Sequence, residues 1–219
     1  LASFAGILQA DGYSGFTPLY ADGRVVEAAC WAHARRKYYD VYETDRSPTA
    51  AEAMRRIGLL YAIEREIRGQ PSAARSAIRR TRSAPILAEL RAWLKDNHAL
   101  LSLKSPLAGA IQYTLTRWTA LTRYVDDGSI EIDNNAAERA IRALVLGRRN
   151  YLFAGSDAGG ETAARLYSLI GTCRLNGLDP HLYLRHVLER IAMHPINRIE
   201  TLLPWHVGPS LEIPQQRAA

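Results

Sequence analysis

Cysteine is scarce and unpatterned: the two present in 219 residues, Cys30 and Cys173, lie far apart with no repeating spacing. That argues against a disulfide scaffold and points to a reducing compartment. No apolar run approaches the length of a membrane span, and the first residues lack the charged-then-apolar order of a signal peptide. No internal repeat is found. Cys30-x-x-His33 has no second Cys/His pair at a convincing distance, and two ligands leave half of a structural zinc tetrahedron empty, so no zinc is expected. Acidic residues are absent before Asp11. These absences together describe a cytoplasmic protein without membrane contact.

What is present is a chain 47% hydrophobic, long enough for one sizeable domain with a small appendage. The net charge of +6 and a pI near 9.5 favour a polyanionic partner and are compatible with DNA. Residues 6–10 form a short apolar run ending at Asp11-Gly12, which predicts a buried strand presenting an aspartate at its C-terminal end, or else an ordinary Asp-Gly turn. After a short helical or looped piece over residues 15–20, a second strand is expected over residues 24–31, closed by Cys30-x-x-His33.

From His33 onward helical spacing dominates for almost one hundred residues. A helix over residues 51–67 is broken by Gly69-Gln70-Pro71, a second over residues 72–97 is interrupted or kinked at Pro85, and a third covers residues 106–125. Their tryptophans read as core rather than as base-stacking platforms. Arg75, Arg79, Arg80 and Arg82, with Arg65, Arg68 and Arg91 nearby, read equally as phosphate contacts or as a solvated helix face. Further on, a helix over residues 161–175 ends at Asn176-Gly177, another starts at Pro180, and the last dozen residues form a tail.

Between these helical regions, Asp127-Gly128 marks a turn, followed by the alternating run Ser129-Ile130-Glu131-Ile132. Then comes Asp133-Asn134-Asn135-Ala136-Ala137-Glu138-Arg139-Ala140-Ile141-Arg142, which opens an apolar helical pattern through Ile141, Leu144 and Val145. Asn135-x-x-Glu138 fits a capping box, in which Glu138 reaches back to a backbone N–H. Caps outnumber metal sites among such patterns, yet it also fits a metal-binding glutamate, and the local pattern leaves both open.

That segment, continued by Gly147-Arg148-Arg149-Asn150-Tyr151-Leu152-Phe153-Ala154-Gly155-Ser156, resembles the catalytic-glutamate region of bacterial DDE transposases of the insertion-sequence-66 family. Leu8-Gln9-Ala10-Asp11-Gly12-Tyr13 resembles the family's segment with the second catalytic aspartate. Cys30-Trp31-Ala32-His33-Ala34-Arg35-Arg36-Lys37 resembles the block that follows. Ala164-Arg165-Leu166-Tyr167-Ser168-Leu169-Ile170-Gly171-Thr172, Asn176-Gly177-Leu178-Asp179-Pro180 and His194-Pro195-Ile196-Asn197-Arg198-Ile199 are similar to its C-terminal region.

The resemblance implies an α/β, helix-dominated fold: a partial ribonuclease-H-like core over residues 1–33, a helical insertion over 34–126 and the catalytic-glutamate helix over 127–155. A C-terminal helical region over 156–207 and a tail over 208–219 would follow. It implies metal-dependent DNA cleavage and strand transfer, with Asp11 and Glu138 as catalytic residues and ligands of Mg²⁺ or Mn²⁺. Cys30, His33, Asp133, Asn134 and Asn135 would lie near the site, and Arg79, Arg80, Arg82, Arg139, Arg142, Arg148 and Arg149 would hold DNA phosphates. The family's first aspartate has no counterpart here, so a fragment inactive by itself is expected. A non-catalytic DNA-binding or regulatory subunit, or a pseudogene remnant, stays open. The partners implied are transposon-end and target DNA, full-length transposase or a second copy, in the bacterial nucleoid.

Overall fold

The computed structural model describes residues 4–147, 155–208 and 211, which divide into two compact units, Leu1–Glu138 and Arg139–Ala219. The first unit begins with two parallel strands, β1 (Gly6–Ala10) and β2 (Val25–Ala29), paired from Gly6 with Val25 to Ala10 with Ala29. A parallel pair needs a crossover rather than a tight turn. Residues 11–24 supply it, with a 3-10 helix over Ser14–Tyr20. Asp11 therefore follows directly on the C-terminal end of β1, as its position after the apolar run predicts, but β1 is not the buried strand expected: only Ala10 is buried, and Ile7 is exposed.

β2 runs through Cys30 into α1 (Trp31–Asp45), and helices make up most of the remainder: α2 (Pro48–Glu66), α3 (Ser72–Ile78), α4 (Ala84–Ala99), α5 (Pro106–Thr116) and α6 (Trp118–Thr122). Ser47 and Ser105 cap α2 and α5 by accepting from Ala50 N and Ala108 N, each ahead of a proline that sits where no N–H is needed. The break expected at Pro85 takes the form of a π turn over Arg79–Ser83 between α3 and α4. A proline ring clashes with the carbonyl four residues back, here Thr81, and a widened turn moves that carbonyl aside.

The helix expected over residues 106–125 is instead two helices and a 3-10 turn (Arg123–Val125), parted at Arg117. Just before the break, the Thr116 hydroxyl donates to the carbonyls of Gln112 and Tyr113 at 2.8 and 3.1 Å, competing with the helical ladder. The two pieces still bury one face. Trp31 and Trp118 meet edge to face with centroids 5.9 Å apart, and Trp31 Nε1 donates to Leu121 O at 2.8 Å. Tyr38, Ile57, Leu60, Leu90, Leu94 and Ile111 complete a core in which truncating any one large side chain costs about 2–5 kcal/mol. Trp118 thus belongs to the core, and Trp93 packs against it half-buried.

Among the described residues the alternating run 129–132 pairs with no strand. Asp127 Oδ1 accepts from Ser129 N and Oγ, which folds a turn, and Ile130 and Ile132 are then buried while Glu131 faces outward. α7 (Asn135–Gly147) follows. The second unit holds α8 (Asp157–Leu175), α9 (Pro180–Arg190) and α10 (Pro204–Val207) around Cys173, Leu178, Tyr183 and Val207. Gly177, at φ 70°, closes α8 in the left-handed conformation that glycine adopts without strain, and Leu178 N returns to Cys173 O at 2.9 Å.

Candidate functional site

Asp11, Cys30, His33, Asp133, Asn134, Asn135 and Glu138 all belong to the first unit, and the fold gathers their backbones at one end of the strand pair. The residue that follows β2 is Cys30, and Trp31 N then donates to Ile132 O at 3.1 Å, which lays the segment preceding α7 against the start of α1. From the other side Gln9 Nε2 donates to Glu131 O at 2.6 Å. The Cys30 thiol is buried in this junction. Burial pushes its pKa up, against hydrogen bonds from the backbone of Asn134, His33 and Ala32. Cys30 is therefore a packed joint between the starts of two helices.

Asp133 does the capping at α7. Its carboxylate accepts from Asn135 N at 3.1 Å, Asn135 Nδ2 at 2.8 Å and Tyr61 Oη at 3.0 Å. Burial first, and then the Asp133 charge, push the Tyr61 hydroxyl well above its ordinary value, so it stays a proton donor. Because Asp133 takes the Asn135 N–H, the capping box between Asn135 and Glu138 does not form. The Glu138 carboxylate turns to His33 instead, with Oε1 3.4 Å from Nε2. Both side chains are partly exposed, 33% and 45%, so this pair contributes at most about 1 kcal/mol and is easily exchanged for another partner.

His33 also lines a cleft of about 310 Å³ with Asp11, Arg36, Lys37, Asp40 and Tyr113. The Asp11 loop is fixed by Tyr113 Oη donating to Asp11 O at 3.2 Å and Arg117 Nη2 donating to Gly12 O at 3.3 Å. Asp11 Oδ1 accepts from Tyr13 N at 3.0 Å. Lys37 Nζ and the Arg117 guanidinium lie 4.6 and 4.4 Å from the Tyr113 ring centroid. Two polar atoms at the junction, His33 Nδ1 and Asn134 Oδ1, are buried without a hydrogen-bond partner. Such atoms call for a water, an ion or a substrate group. Carboxylates and cations thus share one exposed cleft, an arrangement that suits a phosphodiester better than an apolar ligand.

The arginines expected to hold phosphates separate into distinct groups. Arg79 is fully buried, which corrects its placement on a DNA-facing surface. Its guanidinium forks onto Glu64 at 2.8 and 2.6 Å and donates to Tyr124 O at 2.8 Å and Asp127 O at 3.1 Å, so its donors are used inside the fold. Arg80 and Arg82 are exposed and paired, with Asp126 at 3.3 Å and Glu66 at 2.5 Å. Arg139 and Arg142 are exposed on α7, and Arg148 and Arg149 lie outside the described residues.

Several contributors escaped the sequence reading. Arg36 and Lys37 follow His33 by three and four residues, the spacing that puts helical side chains on one face, and that signal could have found them. Tyr61 gave no local signal, whereas Arg75, read as a phosphate contact or part of a solvated face, instead forks onto Glu131 at 2.8 Å twice and reaches Glu64 at 3.5 Å.

The family model described as Transposase IS66 family matches residues 1–162, and that of the IS66 C-terminal element matches residues 168–205. The chain is 46% identical over 214 residues to uncharacterized protein y4jD of Sinorhizobium fredii, covering 94% of this chain and 42% of that protein. Against y4hP of the same organism it is 41% identical over 221 residues, covering 94% and 40%. A shorter match, 49% identical over 49 residues, joins it to uncharacterized protein YuaK of Escherichia coli, covering 22% of this chain and 52% of that protein. The chain therefore spans about two fifths of the length of the Sinorhizobium relatives. No solved structure matches it.

Proposed function

Because the chain belongs to the Transposase IS66 family, we propose that it serves DNA transposition as part of a DDE-type enzyme of metal-assisted DNA cleavage and strand transfer. In this reading Asp11 and Glu138 are the carboxylates that touch the metal. β1 and β2 are then part of a ribonuclease-H-like core into which the helices over residues 34–126 are inserted. One observation carries the proposal: Glu138, released from capping by Asp133, is held by the imidazole that lines the Asp11 cleft.

The donors suit a hard divalent cation, Mg²⁺ or Mn²⁺. Both are carboxylates, and Glu138 is 45% exposed, while the unpartnered His33 Nδ1 and Asn134 Oδ1 leave hydrogen-bonding capacity for water. Among the described residues no group of three His, Cys, Asp or Glu side chains converges as a metal site, so Asp11 and Glu138 would supply only part of a coordination sphere. When bound, such an ion activates the attacking oxygen or stabilises the leaving one. The chain's own residues bind and orient. Arg36 and Lys37 neutralise phosphate in the cleft, Tyr113 fixes the Asp11 loop, and His33 holds Glu138 until the ligand competes for it.

Glu138→Gln and Asp11→Asn test this, because a neutral amide keeps the shape and hydrogen-bonding of the side chain yet binds hard cations far less well than a carboxylate. Each should weaken Mn²⁺ binding to this chain, read by electron paramagnetic resonance, and leave the melting temperature within a degree or so. In a transposase of the relatives' full length each should abolish Mg²⁺- or Mn²⁺-dependent cutting of transposon-end DNA. Full cutting by the Glu138→Gln protein would overturn the assignment.

A further inference from the structure

A second cleft, of about 610 Å³, runs along α4 in the first unit and shares no residue with the Asp11 cleft. Its floor is apolar: Leu87, Trp118 and Val125 are each more than nine-tenths buried there. On the α4 side it is bordered by Ala84, Ala88 and Ala92, three methyl side chains at four-residue spacing. Such a row has no ridge, so a second helix can approach closely and set its own ridge into it. Just over one turn, about 1.1, separates each alanine from the next, and the row extends for about 12 Å along the helix at its 1.5 Å rise.

The rim is charged with one sign. Arg80, Arg91 and Lys95 stand along it, and the one carboxylate, Asp126, is already paired with Arg80. Arg91 lies over the Trp118 ring at 5.7 Å, and among the described residues neither Arg91 nor Lys95 meets a carboxylate. An occupant must therefore bring apolar side chains for the floor and carboxylates for the rim.

We propose that this groove docks an acidic amphipathic helix of a partner protein, its apolar stripe on Leu87, Trp118 and Val125 and its carboxylates on Arg91 and Lys95. A second copy of this chain is disfavoured, since each copy carries a net charge of +6. Duplex DNA fits the rim and not the floor: phosphates on a rigid cylinder satisfy cations but place nothing apolar against buried leucine and indole.

The test uses this chain and a labelled helical peptide of about four turns, with leucines at helical spacing and glutamates on both flanks. A control peptide carries lysines in place of the glutamates. Fluorescence anisotropy should show the glutamate peptide binding roughly tenfold or more tightly than the control, the scale of one or two charge-assisted contacts. Ala88→Trp, which fills the groove, and the Arg91→Glu/Lys95→Glu pair should each lose that binding. All three positions are exposed on α4, so a thermal melt should be nearly unchanged. Equal binding of the two peptides, or full binding by the Ala88→Trp protein, would overturn the proposal. So would displacement of the peptide by duplex DNA whose own binding is lost on Ala88→Trp, which would make the groove a nucleic-acid surface.

Discussion

Replacing Arg79 by alanine is the sharpest probe of the first unit, because the same residue is a plausible DNA contact in the sequence and an interior ion in the structure. The guanidinium is 0% exposed and its partner Glu64 8%. Truncation leaves the Glu64 carboxylate buried and short of its fork, with the carbonyls of Tyr124 and Asp127 each losing a donor. Breaking a buried pair from one side costs about 3–5 kcal/mol, and the orphaned Tyr124 carbonyl adds about 1 kcal/mol or more, while Asp127 O still accepts from Ile130 N at 3.2 Å. Arg75, 3.5 Å from Glu64, offsets part of this. The expected loss is about 4 kcal/mol, a large share of the 5–15 kcal/mol typical of a whole domain. Urea unfolding followed by tryptophan emission reads it directly, since Trp31, Trp93 and Trp118 all lie in the unit that contains Arg79. Glu64→Leu combined with Arg79→Met removes both charges and should cost less than Arg79→Ala, leaving mainly the Tyr124 carbonyl unpaired. A loss below about 1 kcal/mol for Arg79→Ala, or a double replacement worse than the single one, would refute the placement of this ion pair.

Gly128→Ala should cost about 3 kcal/mol, because the new Cβ would lie 1.8 Å from the backbone oxygen of Ser72, whereas Gly58→Ala in α2 meets nothing within 4 Å and should stabilise by about 0.5–1 kcal/mol. Paired urea curves check both. The Ser129 hydroxyl and N–H hold the Asp127 carboxyl below its ordinary value of 3.8, so its contribution is present above pH 3.8 and is lost as pH falls through the lower folded-state value. The gap in unfolding midpoint between wild type and Asp127→Ala should be level from pH 7 to pH 5 and narrow at more acid pH; a gap that widens there would contradict it. If Arg139 and Arg142 contact phosphate, replacing each by alanine should reduce the slope of log K against log salt for DNA binding by about 0.9 per contact, while Arg79→Met leaves the slope unchanged. Unchanged slopes for Arg139 and Arg142 would remove them from the DNA surface.

The sequence by itself determined the elements whose causes are local. The apolar run before Asp11 becomes β1, Pro85 interrupts its helix, Gly177 ends α8 and Pro180 opens α9, since each rests on backbone geometry and hydrogen bonding within a few residues. Family motifs in sequence order likewise marked Asp11, Cys30, His33 and Glu138 as parts of one region. Tertiary structure alone decided what those side chains do. Whether Glu138 caps or faces the cleft depended on Asp133 taking the Asn135 N–H, and Asp133 is itself held by Tyr61, 72 residues away. Arg79 and Arg80 are neighbours of one kind in the sequence, yet the π turn and the partners around it bury the first and leave the second in solvent. A guanidinium is worth burying only where a carboxylate and carbonyls converge on it, and here they come from positions 15, 45 and 48 residues away. No periodicity within a helix encodes that convergence, because it is a property of how the elements pack against one another.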